Sequence, residues 1–282
     1  MYMQIELVNG GDLFTQLDPS GPGLEENIAR KYMFQLASGL AYMHSQGFVH
    51  CDVKPENVLI HNGCIKVCDL GLAGKTSAQR HGPATGTGAY MAPELVNRKH
   101  TVPYSIEEAQ DVWSVGVVLY AVLFADLPWE KAKPRDKDFH LFCRKGGVSS
   151  RLHPFNVVSP PMRQFLSMVL NILPKQRPSM DAVADFFSRK YAWYNGDKRS
   201  IKISYGLKEV KPQAQKVRPQ EWNFDAGKAL KCDNAKNSSS SSIPSMHENF
   251  PDIFDARTNA DAKNHKGSSS SVLDHFDALA IK

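Results

Sequence analysis

The chain has 282 residues, of which 42% are hydrophobic and 22% are charged, and its formal net charge is +5. This length predicts one large domain with an appendage, and the small charge without a basic, aromatic-rich stretch argues against a nucleic-acid partner. No apolar run approaches the roughly 18 residues of a membrane span and no basic segment precedes an apolar core at the N-terminus, so we predict neither membrane insertion nor secretion. The five cysteines are scattered and odd in number, which argues against a disulfide framework.

A long helix is the first element with clear signals. Glu25 and Glu26 lie in its predicted first turn, and Gly47 follows its last periodic residue, so both ends are marked. Apolar residues recur at steps of three or four at Leu24, Ile28, Tyr32, Leu36, Leu40 and Met43.

A β-hairpin and two further helices follow along the chain. Val58–Ile60 and Ile65–Val67 flank the turn-forming residues 61–64, and this pattern predicts a small hairpin. The stretch from Asp111 to Phe124 is apolar nearly all round, which predicts a buried helix. The fold class is therefore α+β and mainly α-helical. A last helix is indicated by Met180, Val183, Phe186 and Phe187.

Three short segments hold the side chains that phosphoryl transfer requires. Residues 50–57 (the catalytic loop) read HCDVKPEN, residues 69–71 read DLG and residues 91–94 read MAPE. A carboxylate can accept a hydroxyl proton, an ammonium group can hold the moving phosphoryl group, and an amide oxygen with a second carboxylate can hold magnesium between phosphates. The hairpin predicted between residues 57 and 69 places Asn57 and Asp69 at adjacent strand ends, where one metal ion can reach both.

The order and spacing of these segments resemble those of the eukaryotic protein kinases of the serine/threonine type. The resemblance implies that Asp52 is the catalytic base and that Lys54 contacts the transferred phosphate. It also implies that Asn57 and Asp69 bind magnesium, and that the hydroxyl of Thr87 hydrogen-bonds Asp52 and Lys54. Because Lys54 is typical of serine/threonine kinases, Ser and Thr acceptors are favoured over Tyr. The implied fold is a kinase C-terminal lobe with a small hairpin carrying the catalytic loop.

Two positions depart from the family pattern. Leu70 stands where the DFG motif has a phenylalanine, which is a mild change to another apolar residue. Cys51 stands where the family carries an arginine, so no guanidinium is available there to bind a phosphate on the activation segment (residues 69–94). We therefore expect no dependence on phosphorylation of that segment, and a solvated loop is favoured over a phosphate switch at Thr76, Ser77 or Thr85. Cys51 could be a redox thiol, but a simply buried thiol is the more common role.

The resemblance also implies two structural contacts. Glu94 would form a buried ion pair with Arg177, and removing one partner of such a pair costs about 3 to 5 kcal/mol. Asp111 resembles the carboxylate that accepts backbone hydrogen bonds from the catalytic loop.

Residues 1–14 resemble the last strand of a kinase N-terminal lobe, the hinge and the start of the next helix. By this resemblance the backbone of Glu6 and Val8 meets the adenine of ATP, Leu59 lies under the ring, and Asp12 lies near the ribose or a basic substrate residue. Met1 to Ile5 would form an unpaired apolar edge strand.

The rest of that lobe, with its glycine-rich loop and strand lysine, is missing from the sequence. Removing one charge-stabilising donor slows an enzyme by about a hundred- to a thousandfold, so we expect impaired transfer by this chain. A truncated gene model or fragment is favoured over a natural homologue without the lobe.

The kinase-like domain is predicted to cover residues 1–194, and residues 195–282 to form a low-complexity tail. The tail is polar, with serine runs at 238–242 and 268–271, and cannot bury enough apolar surface to offset chain entropy. We predict that it is disordered. Two apolar-acidic segments, residues 250–254 and 272–279, could dock onto a partner, although a solvated tail is the default.

The predicted function is transfer of the ATP γ-phosphoryl group to Ser or Thr of protein substrates, with ATP and magnesium as cofactors, in the cytoplasm or nucleus. The alternative is a non-catalytic interaction module that keeps the lobe as a binding surface. Retention of Asp52, Lys54, Asn57 and Asp69 favours the enzyme, because a scaffold has no physical need for a magnesium-binding pair.

Overall fold

The computed structural model describes residues 6–17, 23–148 and 154–196. The edge strand predicted at Met1–Ile5 lies outside the described residues, and so do the tail beyond residue 196 and both of its predicted docking segments. A membrane crossing would need a longer and more apolar helix than any in the described part of the chain.

Helices dominate the described ranges, and the strands are short. The helices are α1 (Glu26–Ser45), α2 (Pro93–Val96), α3 (Glu108–Phe124), α4 (Lys137–Arg144), α5 (Pro160–Val169) and α6 (Met180–Ser188). The strands are β1 (Phe48–Val49), β2 (Val58–His61), β3 (Cys64–Val67), β4 (Gly74–Lys75), β5 (Gln79–Arg80) and β6 (Tyr104–Ser105). Single 3₁₀ turns occur at Phe14–Gln16, Pro55–Asn57, Leu70–Leu72 and Pro174–Gln176.

Helix α3 forms the centre of the core. Every residue from Gln110 to Leu123 is buried, which confirms the prediction drawn from its continuous apolar run. Trp113 stacks on Trp129 with ring centroids 5.5 Å apart and meets Phe139 edge-on. Burying a large apolar side chain contributes about 1.5 to 3 kcal/mol, so α3 anchors the elements packed around it.

Helix α1 forms where the sequence places it, and five of the six periodic apolar residues lie in the core or pack against it. Ile28 is 42% exposed and does not belong to the core face, whereas Tyr32 is half-buried and packs against the core. Helix α1 packs extensively against α6. The buried residues are Ala29, Met33, Leu36, Ala37, Leu40, Ala41 and His44.

Strands β2 and β3 pair antiparallel, with Val58 opposite Val67 and His61 opposite Cys64. Their turn is Asn62-Gly63, and both residues have positive φ angles, 50° and 70°, as a type I′ turn requires. Because the two ends of a hairpin meet, the catalytic loop before β2 and the DLG segment after β3 lie at the same edge.

Two further strand pairs hold the activation segment in place. Val49 of β1 pairs with Gly74 of β4, and Arg80 of β5 pairs with Tyr104 of β6. The first pair joins the activation segment to the chain just before the catalytic loop. The second joins it to the chain just before α3.

The chain stays packed as far as Tyr194. The side chains of Trp193 and Tyr194 are buried, and the Tyr194 hydroxyl donates to the carbonyl oxygen of Leu123 at 3.2 Å. Met180, Val183, Phe186 and Phe187 are all buried in α6, which confirms the predicted last helix. The domain end at residue 194 stays a prediction.

Candidate active site

One buried carboxylate anchors the catalytic loop to α3. Asp111 is fully buried in the first turn of α3. Its oxygens accept hydrogen bonds from the backbone N–H of His50 at 2.8 Å and of Cys51 at 2.9 Å, as the resemblance implies. Hydrogen bonds to charged groups contribute about 1.5 to 3 kcal/mol. Asp111 therefore holds the backbone that carries Asp52.

Sequence reasoning missed a third partner of this carboxylate. Nε2 of His44, at the end of α1, lies 2.9 Å from Asp111 Oδ2, and His44 is buried. His44 follows Leu36 and Leu40 at steps of four on the buried face of α1. His44 is a polar residue at a position where the helical period predicts an apolar one. Because buried polar groups require partners, this mismatch was the signal in the sequence that pointed to a partner.

The side chains of Lys54 and Thr87, which come from two separate segments, meet at Asp52. Lys54 Nζ lies 2.7 Å from Asp52 Oδ2 and donates to Thr87 Oγ1 at 2.8 Å. Thr87 donates its hydroxyl to Asp52 Oδ1 at 2.9 Å and its backbone N–H to the same oxygen at 2.8 Å. The structure thus brings together the three residues named as catalytic, with an ammonium group directly beside the carboxylate.

Two opposing effects set the charge of Asp52. Burial raises its pKa, whereas hydrogen bonds from Lys54 and Thr87 and the positive charge of Lys54 lower it, and the net pKa lies below the ordinary value. Because that ordinary value is about 3.9, Asp52 is ionised at neutral pH. An ionised carboxylate can accept a proton from a hydroxyl group, which is the chemistry of a general base.

Asn57 and Asp69 lie at the open end of the hairpin. Asn57 Nδ2 donates to the backbone oxygen of Asp52 at 2.9 Å and to its carboxylate at 3.3 Å. No described residue donates a hydrogen bond to Asn57 Oδ1. The N–H of Cys68 donates to the backbone oxygen of Asn57 at 3.0 Å, and Asp69 follows Cys68 directly with an exposed side chain. Amide and carboxylate oxygens are ligands that Mg²⁺ prefers, so this pair fits a partly hydrated divalent cation.

The residues expected around the adenine and ribose lie beside the same hairpin. Asp12 forms a β-bridge with Leu59 of β2. Glu6 pairs with Lys66 of β3 at 2.9 Å, and Lys66 is the strand partner of Leu59. Val8 is half-buried in the chain between Glu6 and Asp12. The structure brings Glu6, Asp12 and Leu59 to one hairpin, and their roles toward ATP stay predictions.

The two departures from the family pattern have different surroundings. Leu70 is 58% exposed, so it does not take the packing role of a buried residue. Cys51 is half-buried, and Gln110 Nε2 donates to its Sγ at 3.1 Å. Burial and the charge of Asp111 raise the pKa of Cys51 to about 12. The reactive form of cysteine is the thiolate, so the raised pKa favours a buried thiol over the redox alternative.

The predicted ion pair at the end of the activation segment is confirmed. Arg177 Nη1 and Nη2 contact Glu94 Oε1 and Oε2 at 2.7 and 2.8 Å. The Arg177 guanidinium also donates to the backbone oxygens of Asn171 and Ala109 at 2.8 and 2.9 Å. The pair ties the activation segment to the chain that leads into α6.

The family follows from a comparison with known domains. The family model described as "Protein kinase domain" matches residues 1–187 of the 282 residues. The chain belongs to the protein kinase family. Members of this family use ATP with a divalent metal ion and act on protein substrates.

Several curated proteins are similar to the chain. Serine/threonine-protein kinase chk1 of Schizosaccharomyces pombe is 34% identical over 187 residues, which cover 64% of this chain and 36% of that protein. CBL-interacting serine/threonine-protein kinase 20 of Arabidopsis thaliana is 37% identical over 190 residues, covering 66% of this chain and 40% of that protein. Serine/threonine-protein kinase CHK1 of Mycosarcoma maydis is 33% identical over 199 residues, covering 69% of this chain and 28% of that protein. The chain thus spans between 28% and 40% of the length of these relatives.

Proposed function

We propose that this protein is a serine/threonine protein kinase, which transfers the γ-phosphoryl group of ATP to Ser and Thr hydroxyl groups of protein substrates. The observation that carries the proposal is the contact of Lys54 and Thr87 with the ionised Asp52. In the same proposal, the helices around α3 and the β2–β3 hairpin form the C-terminal lobe of the kinase. The relatives named as serine/threonine kinases support this acceptor class.

Each side chain has a distinct task in the proposed reaction. Asp52 accepts the proton of the acceptor hydroxyl, and Thr87 and Lys54 hold its carboxylate in one orientation. Lys54 also places a positive charge next to the phosphoryl group as it moves to the acceptor oxygen. Such a charge is the electrostatic contribution expected in phosphoryl transfer.

The cofactor side of the site rests on the hairpin. Asn57 and Asp69 would hold Mg²⁺, the backbone of Glu6 and Val8 would contact the adenine, and Leu59 and Asp12 would lie near the ring and ribose. When bound, Mg·ATP supplies the phosphoryl group and the metal neutralises phosphate charge. Two observations support this assignment: no described residue donates a hydrogen bond to Asn57 Oδ1, and Asp69 directly follows Cys68, whose N–H bonds the backbone of Asn57.

Transfer from Mg·ATP to matched peptides that differ only in a Ser, Thr or Tyr acceptor tests the proposal. We expect labelling of the Ser and Thr peptides and not of the Tyr peptide. Asp52→Asn removes the base, and a general base contributes about 100- to 10,000-fold in rate. The matched control is Asp181→Asn, an exposed carboxylate in the first turn of α6, which leaves the rate unchanged. The same assay measures the rate of transfer by this chain. The expectation that this rate is impaired stays a prediction.

A binding measurement separates the enzyme from the non-catalytic alternative. Titration with a fluorescent ATP analogue, with and without Mg²⁺, should show Mg²⁺-dependent binding that Asp69→Asn weakens, while the thermal unfolding temperature changes little. Absence of any Mg²⁺-dependent binding by the folded protein would contradict the kinase proposal and leave an interaction module. Docking by the tail segments 250–254 and 272–279, and a location in the cytoplasm or nucleus, stay predictions from the sequence.

A further inference from the structure

Arg80 of β5 bonds to both ends of a loop within the activation segment. Its Nη2 donates to the backbone oxygens of Leu72 at 2.5 Å and Ala73 at 3.2 Å. Its Nη1 donates to the hydroxyl oxygen of Thr85 at 3.1 Å. Leu72 lies three residues after Asp69, and Thr85 lies two residues before Thr87. One guanidinium therefore joins the metal-binding end of the segment to the end that contacts the catalytic base.

The guanidinium of Arg80 also lies next to the catalytic loop. A Cβ atom added at Gly74 would come within 3.1 Å of Arg80 Nη2, so the guanidinium packs directly over Gly74. Gly74 pairs with Val49, two residues before Cys51. The positive charge of Arg80 also acts on the Cys51 thiol, where it partly offsets the rise in pKa caused by burial and Asp111.

Position 51 itself offers no cation, because its side chain is a thiol held by Gln110. Arg80 is thus a positive charge beside the catalytic loop that comes from the activation segment and not from the loop. Its bonds to the segment are made to two carbonyl oxygens and an unmodified hydroxyl, so none of them requires a phosphate group.

We propose that Arg80 is a positioning residue that holds the activation segment in the arrangement that places Thr87 on Asp52, and that it does so without phosphorylation. This inference rests on the proposed kinase function for its biological meaning. The arrangement itself is a property of the folded chain and can be measured without catalysis. The planar fork of arginine suits this task, because it can donate in two directions at once, whereas lysine presents a compact point charge.

Hydrogen exchange of the full chain tests the inference. The chain is treated with phosphatase first, so that no phosphate group contributes to the protection of its amides. The reporter is the peptide containing the Thr87 amide, which is bonded to Asp52 Oδ1. In Arg80→Gln we expect its protected amides to exchange about tenfold faster or more, because several charge-assisted hydrogen bonds are lost. Peptides from α3 and α6 should keep their protection. Arg80→Lys should restore only part of the protection.

Lys75→Gln is the matched control, since Lys75 is an exposed cation of the same segment in β4. It should leave exchange around Thr87 unchanged. If Arg80→Gln also leaves it unchanged, the inference is wrong. Equal acceleration in Arg80→Gln and Lys75→Gln would also overturn it, because the effect would then reflect net charge.

If Arg80→Gln unfolds the whole domain, a milder variant tests the positioning role of Arg80. Thr85→Val keeps the size of the exposed side chain but removes the acceptor of Arg80 Nη1. Faster exchange near Thr87 in this variant supports the inference, and unchanged exchange overturns it. Accelerated exchange together with no phosphoryl transfer by the unmodified chain would leave the positioning role intact and refute the proposed function instead.

Discussion

The ion pair between Glu94 and Arg177 allows a quantitative test of how the activation segment is fixed. The side chain of Arg177 is fully buried, whereas that of Glu94 is 27% exposed. Glu94→Ala would leave the guanidinium in the core without a charged partner, hydrogen-bonded to backbone carbonyl oxygens. Breaking a buried pair costs about 3 to 5 kcal/mol, and the partial exposure of Glu94 places this pair at the lower end, about 3 kcal/mol. For a domain of this size each kcal/mol lowers the unfolding temperature by about 2 to 4 °C, so a fall of about 6 to 12 °C is expected.

A double-mutant cycle isolates the interaction from the loss of packing. Arg177→Met removes the charge but keeps much of the side-chain volume, and the double variant Glu94→Ala/Arg177→Met leaves no unpaired buried charge. We expect the double variant to be more stable than the sum of the single effects predicts, by about 2 kcal/mol. Urea unfolding followed by tryptophan fluorescence measures each free energy, because Trp113, Trp129 and Trp193 are buried in the folded domain.

The chain contains its own control for this experiment. Arg189 and Asp185 form a pair of similar length, 2.6 Å, but their side chains are 43% and 45% exposed. Asp185→Ala should cost no more than about 1 kcal/mol, as is usual for surface pairs. Additive effects at Glu94 and Arg177 within about 0.5 kcal/mol, or equal costs for the two pairs, would refute the reasoning that burial makes the inner pair strong.

Two further predictions concern single side chains. Thr87→Ala should slow phosphoryl transfer by about ten- to a hundredfold, because it removes one hydrogen bond to a charged group. Thr87→Ser keeps the hydroxyl and should keep most of the rate. Equal rates of the two variants would contradict the role of the hydroxyl. Asp136, the N-cap of α4, accepts hydrogen bonds from its own helix N-terminus and from Glu130 and Lys131, so Asp136→Ala should cost about 0.5 to 2 kcal/mol at neutral pH. Burial opposes ionisation of Asp136, but these backbone hydrogen bonds outweigh it and lower its pKa, so its stabilisation is present above about pH 4 and is lost as the pH falls through the lower folded pKa. Urea unfolding at several pH values between 7 and 3 should show the difference between wild type and variant shrinking toward the acid end, and a constant difference would contradict the pKa argument.

Local patterns in the sequence predict most of the elements that carry the site. Apolar periodicity and end signals predict α1, and a continuous apolar run predicts α3. The residues between β2 and β3 contain an Asn-Gly pair, which adopts the positive φ angles of a tight turn at little cost. These features depend on interactions between residues that are close in the chain, and for that reason the sequence reveals them.

The assembly of the site depends on residues that are distant in the chain. Thr87 reaches Asp52 across 35 positions, and only the resemblance to a family, not the spacing, led to that expectation. His44 and Arg80 were not identified as members of the site at all. Their tasks follow from which carboxylate and which carbonyl groups the folded chain places beside them.

The sequence by itself determined the chemistry available to this protein: a carboxylate, an ammonium group, an amide and a second carboxylate in a kinase-like order, and the helices and hairpin that carry them. The tertiary structure alone decided that Ile28 of α1 stays exposed, that His44 shares the carboxylate of Asp111, and that Arg80 lies beside the catalytic loop in which Cys51 replaces an arginine. The physical reason is that side-chain composition and short-range periodicity are written along the chain, whereas burial, charge pairing and hydrogen-bond partners depend on how distant segments pack.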